Sequence, residues 1–91
     1  MNALQRQLAR HALGLPNFRR VSFRNRYAVP YAPTRDFEAW EALADAGMAE
    51  SNGPRRSGLM IFWLTREGAE AALEPGETLC PQDFPKEKPH A

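Results

Sequence analysis

The chain has 91 residues, 43% of them hydrophobic and 25% charged, with a formal net charge of +1. That length supports one domain around a compact core, and those proportions exclude wholesale disorder and a membrane-embedded body. A single cysteine excludes an internal disulfide, and with two histidines beside it the chain offers few soft metal ligands, so neither metal nor cofactor is expected.

The longest apolar run, Leu59–Leu64, is too short to cross a bilayer, and the first residues lack the apolar block of a signal peptide. The expected address is therefore the cytoplasm. Charge is sorted along the chain. Residues 1–35 carry seven arginines and no acid, whereas residues 36–53 carry Asp36, Glu38, Glu41, Asp45 and Glu50 and no base. Such sorting makes a dipolar molecule whose basic part attracts anionic partners although the total is nearly neutral.

In chain order, Asn2 followed by Gln5 is a capping-box pattern, and Leu4, Leu8, His11 and Leu15 share one helical face. The first predicted element is thus a helix over 3–13, stopped by Gly14 and Pro16. In RRVSFRNRYAVP, Val21, Phe23, Asn25, Tyr27 and Val29 alternate with Arg20, Ser22, Arg24, Arg26 and Ala28. This is strand periodicity, with one face mainly apolar and the other bearing three arginines. Pro30 and Pro33 end it.

Thr34 caps a second predicted helix, over 35–46, with Phe37, Trp40, Leu43 and Ala44 inward, Glu38, Glu41 and Asp45 on or beside the outer face, and Gly47 as its stop. MAES and LMIFWL predict a hairpin joined by a flexible tip, NGPRRSG, that carries Arg55 and Arg56. Thr65 caps a third helix, over 66–73, closed by Pro75-Gly76. The domain then spans 1–74. Residues 75–91 hold four of the eight prolines and little apolar content, which predicts a flexible proline-rich tail except where Leu79 or Phe84 docks on the body.

At AWEALADAGMAE, NGPRRSG and LMIFWLTREGAEAAL the chain resembles the wing half of winged-helix regulators of the multiple-antibiotic-resistance type. The resemblance covers 39–73 and implies an α+β, winged-helix-like fold of three short helices and a small antiparallel sheet of about three strands. It departs before the wing, where that family has two helices in a tight turn and this chain has an arginine-bearing strand, a proline connector and one helix. As a whole, through HALGL, RNRY and LTREGAEAAL, the chain also resembles small uncharacterised proteins encoded by phages and prophages of proteobacteria. That likeness implies a compact accessory protein of a broad group that includes antagonists of host defence, and it transfers no functional residue.

No nucleophile stands beside a base and an orienting group, since Cys80 lies in the proline-rich segment and His11 among leucines, so an enzyme is not expected. Phosphate contact needs clustered cations, for which the planar guanidinium is suited. Two clusters qualify: Arg19, Arg20, Arg24 and Arg26 near the strand, and Arg55 and Arg56 at the hairpin tip. Against direct major-groove reading, the second helix would push its carboxylates toward phosphates. The strand arginines could equally keep an edge soluble or pair with those acids.

Both faces of LMIFWL are apolar, with Leu59, Ile61 and Trp63 pointing one way and Met60, Phe62 and Leu64 the other. If one face stays open, Met60 and Phe62 or Trp63 form an aromatic interaction patch; otherwise helices cover both. The expected function is non-enzymatic binding of a host protein or nucleoprotein complex, as an inhibitor of host defence among other roles, with a homodimer and direct nucleic-acid contact as further options. The alternative is weakly sequence-specific DNA binding through the tip and the arginine face.

Overall fold

Capping side chains set where each helix begins. In the computed structural model, which describes residues 1–85, α1 spans Ala3–Leu13. The Asn2 side chain accepts from the Gln5 amide at 2.8 Å and the Gln5 side chain accepts from the Asn2 amide at 2.9 Å. These bonds satisfy two of the amides that a helix start leaves without partners. α2 spans Arg35–Asp45 behind Thr34, and α3 spans Arg66–Ala72 behind Thr65.

α1 and α2 stop in the same way. Gly14 and Gly47 take positive φ, and the two amides after each last turn donate back into it: Gly14 to His11 and Leu15 to Arg10, then Gly47 to Ala44 and Met48 to Leu43. A side chain at either glycine would oppose that left-handed backbone.

The strands β1 (Tyr27–Pro30), β2 (Ala49–Pro54) and β3 (Leu59–Leu64) form one antiparallel sheet in the order β1-β3-β2. The class is α+β, and only α2 connects β1 to β2. All three helices share one core with Met60, Phe62 and Leu64 of β3. Trp40 stacks on Phe62 with centroids 5.4 Å apart, and Phe37 meets the same ring edge-on at 6.2 Å. Ile61 is buried but lies outside that core, on the opposite face with the partly exposed Leu59 and Trp63. No helix among the described residues is long and apolar enough to cross a membrane.

Four expectations need correction. The arginine-bearing strand does not run from residue 20; β1 starts at Tyr27, which pairs with Phe62, and β3 gives way to α3 two residues later. Residues 20–24 lie beyond the end of β3, and opposite Leu64 it is the Asn25 side chain that closes the ladder, accepting from the Leu64 amide at 2.8 Å and donating to the Leu64 carbonyl at 2.9 Å. The hairpin tip is shorter than expected. β2 continues to Pro54 through an irregular register at Asn52-Gly53, where Gly53 has φ +82°, and a tight turn over 55–58 follows, with Gly58 donating to Arg55 at 2.9 Å.

Met60 and Phe62 are core residues, Phe62 being fully buried, and they form no surface patch. Their face of β3 is the one that all three helices cover. The segment from residue 75 is not a free tail through Pro85. Thr78 bridges Val21, the Cys80 amide donates to the Ser22 hydroxyl at 2.8 Å, Phe84 is buried in the core, and Arg66 donates to the carbonyls of Phe84 and Pro85. Burying one Phe ring recovers about 2–3 kcal/mol, the cost of ordering about two residues, and the segment's hydrogen bonds and Leu79 add to it. Residues 86–91 of the expected tail, with His90, lie outside the described residues.

Candidate functional site

The stretch between α1 and β1 carries the aromatic surface that the hairpin lacks. Phe18 is fully exposed and Phe23 is 61% exposed, although apolar side chains this large are ordinarily withdrawn from water. Phe23 was expected on the inward face of a strand. Instead Ser22 is buried, holding the Cys80 amide, and the alternation slips by one residue. Phe18 carries no periodicity and escapes pattern reading. The signal that marks it is a repeat, a Phe-Arg dipeptide at 18–19 and again at 23–24.

The loop is held rather than loose. The Asn17 amide side chain donates to the carbonyls of Gly14 at 3.0 Å and Val21 at 2.8 Å, bracketing Phe18–Arg20. Arg20 has φ +59°, a left-handed conformation that costs a residue with a side chain about 1 kcal/mol or more. Its carbonyl accepts from Thr78 at 2.9 Å and Thr78 accepts from Ser22 at 3.0 Å, so the 75–85 segment fixes this backbone. Phe18, Arg19, Val21 and Phe23 line one side of a groove of about 650 Å³, and Cys80, Pro81 and Gln82 line the other.

The loop arginines differ in what they are free to do. Arg19 and Arg26 are exposed. Arg24 donates twice to the His11 carbonyl, at 3.2 and 2.6 Å, capping the end of α1, and its guanidinium lies 5.2 Å from the Phe23 ring centroid. Arg24 and Arg26 share a hollow of about 390 Å³ with His11 and Tyr27, whose rings meet edge-on. The Tyr27 hydroxyl is held above its usual pKa, first by burial and then by the charge of Asp36.

Arg20 faces a different cavity, with Arg10, Glu74 and Glu77. Ion pairs among the described residues join Arg10 to Glu74 and Glu77 and Arg66 to Glu70; none joins the loop arginines to the acids of α2. Arg6 and Arg10, two of the seven early arginines, turn inward and donate to the carbonyls of Ala71, Ala72 and Leu73 at the end of α3.

The Glu77 carboxyl is held at about 2, below its ordinary 4.5, chiefly by its hydrogen bonds from Arg10. A depressed native pKa contributes stability that is complete above the unfolded value and is lost as pH falls toward the native one. The urea midpoint is therefore expected to drop between about pH 4.5 and pH 2. Glu77→Gln should flatten that decline, and an unchanged acid profile in the variant would remove Glu77 as its cause.

The other expected site lies elsewhere. Arg55 and Arg56 are exposed at the β2–β3 turn, where the Arg55 amide donates to the Leu59 carbonyl. Leu59 and the Asn25-bonded Leu64 are opposite ends of β3, roughly 16 Å apart at an ordinary strand rise. The two arginine clusters are thus separate surfaces. Trp63 is half-buried on the outer sheet face, where its indole N–H donates to Glu50 at 3.2 Å. No protein-family model matches this chain, and no curated protein or solved structure matches it either.

Proposed function

We propose that this chain is a non-enzymatic binding protein whose contact surface is the loop between α1 and β1, and that its partner is a nucleoprotein complex of the cell in which it acts. The reading takes it as a cytoplasmic accessory protein of winged-helix-like build, of the sort phages and prophages encode. The observation that carries it is the position of Phe18, wholly exposed on a loop pinned at both ends and flanked by Arg19 and the Arg24–Arg26 hollow. An exposed ring on a fixed backbone loses little entropy on binding, and cations beside it draw in a polyanion. No ion pair among the described residues joins the acids of α2 to the loop arginines, and the nearest of those acids in sequence, Asp36, engages the Tyr27 hydroxyl instead.

Retention on immobilised heparin tests the electrostatic part. The protein should be held at low salt and released as salt rises, and Arg19→Glu with Arg26→Glu should release at markedly lower salt while the melting temperature stays unchanged. Passage straight through the column at low salt would refute the proposal. A second reading, duplex DNA binding through the β2–β3 turn, rests on the exposure of Arg55 and Arg56. It requires that Arg55→Glu with Arg56→Glu, rather than the loop variant, abolish retention.

A further inference from the structure

We infer that the partner's point of contact is single-stranded nucleic acid, its bases stacking on Phe18 and Phe23 and its phosphates running over Arg19 and the Arg24–Arg26 hollow. This deepens the reading above and rests on it. The repeat unit of the surface matches the repeat unit of the ligand. Each nucleotide offers a flat apolar face and one negative charge; Phe18 and Arg19 offer a ring with a guanidinium, and Phe23 offers a second ring with Arg26 as its cation, since Arg24 is held by the end of α1.

The two rings line one groove with Arg19, whose other wall, Cys80 to Gln82, is uncharged. A second hollow of about 390 Å³ is lined by His11, Arg24, Arg26, Tyr27 and Ala28, and there the exposed Arg26, held by no carboxylate among the described residues, offers the cation that a phosphate requires. A ring-lined groove and a cation-lined hollow, linked through the consecutive residues Phe23 and Arg24, supply the stacking platform and electrostatic track by which single strands are held.

A duplex fits this surface poorly, because paired bases are stacked on one another and present no face to a protruding phenylalanine. An acidic peptide would satisfy the arginines but has no flat group to set against each ring. All ten positive side chains of the described residues are arginine, whose planar guanidinium both grips phosphate and stacks.

The test is fluorescence anisotropy with a labelled oligothymidylate, an abasic strand of the same length, the corresponding duplex and polyglutamate, using the full chain. Oligothymidylate should bind best, and the abasic strand roughly a hundredfold more weakly, since it forgoes stacking on two rings at about tenfold each. The slope of log affinity against log salt should be near −0.7 for each phosphate neutralised, and Arg26→Ala should lower its magnitude by about that amount. Phe18→Ala should weaken oligothymidylate about tenfold.

Phe18→Leu should weaken it comparably, because leucine keeps the apolar character and removes the flat face, whereas Phe18→Tyr should bind like the parent. Equal binding of the abasic strand, full affinity in Phe18→Leu, or preference for duplex or polyglutamate would overturn the inference. If heparin retention persists in that case, the broader reading stands and only the single-strand assignment fails. Loss of both refutes the two together.

Discussion

Glu77→Gln is expected to destabilise the protein by about 3 kcal/mol, the lower end of what removing one partner from a buried ion pair costs. The urea midpoint measures it. Arg10 is buried on α1, and the Glu77 side chain that meets it is only 7% exposed. The two form a fork, with Arg10 Nη2 donating to Glu77 Oε2 at 2.8 Å and Nη1 to Oε1, while Nη1 also donates to the Ala72 carbonyl. The Glu77 carboxylate also accepts from the Glu74 amide at 2.8 Å, so one residue both balances a buried cation and caps the turn after α3.

Glutamine keeps the shape and one acceptor but leaves the guanidinium nearly uncompensated. Glu74 is 3.2 Å away and more than half exposed, which softens the loss without cancelling it. For a domain whose whole stability on a per-residue scale is roughly 5–14 kcal/mol, that is a large fraction. A change under about 1 kcal/mol would show that the pair is a surface contact in effect.

Gly68→Ala is expected to destabilise by about 2 kcal/mol or more, although the same exchange inside an ordinary helix stabilises by about 1. The reversal comes from a close approach. α3 crosses the start of β2 so tightly that a methyl at Gly68 would overlap the Met48 carbonyl oxygen and stand 2.8 Å from its carbonyl carbon. That carbonyl cannot turn aside, since it accepts from the Thr65 amide at 3.1 Å, and the neighbouring Gly47 carbonyl accepts from the Thr65 hydroxyl at 2.9 Å. Relief would need the α2–β2 connection and the α3 cap to separate. Thermal melting of Gly68→Ala against the parent decides the point, and a raised melting temperature would mean that α3 shifts freely.

The helices could be read from the sequence because their signals are local. Asn2 with Gln5, Thr34 and Thr65 act within one turn of themselves, and Gly14 and Gly47 stop their helices through bonds no longer than that. The parity of β3 was equally legible, since alternation places Met60, Phe62 and Leu64 together wherever the strand lies. Which face the helices would cover was not, because that depends on connections between distant elements. The aromatic patch is expected on Met60 and Phe62, which prove to be core, or on Trp63, which lies half-buried on the outer sheet face.

Residues 20–26 were misread for a related reason. Their alternation is real, but a strand exists only where a neighbour supplies ladder partners, and β3 ends too soon. What shapes this loop instead is contact with Thr78 and Cys80, more than 50 positions away, which no window over the loop contains. The arginine cluster itself was legible from composition. Its division into Arg20 beside Glu74 and Glu77, helix-capping Arg24 and unattached Arg19 and Arg26 depends on contacts with distant segments.

The anchoring of this loop by Thr78 and Cys80 gives the molecule a remote tuning handle. On the proposed binding role, substitutions at Thr78 would tilt the presented rings from a position outside the contact surface. Variation in affinity among engineered forms should then map to two stretches of sequence that inheritance keeps far apart and folding makes neighbours.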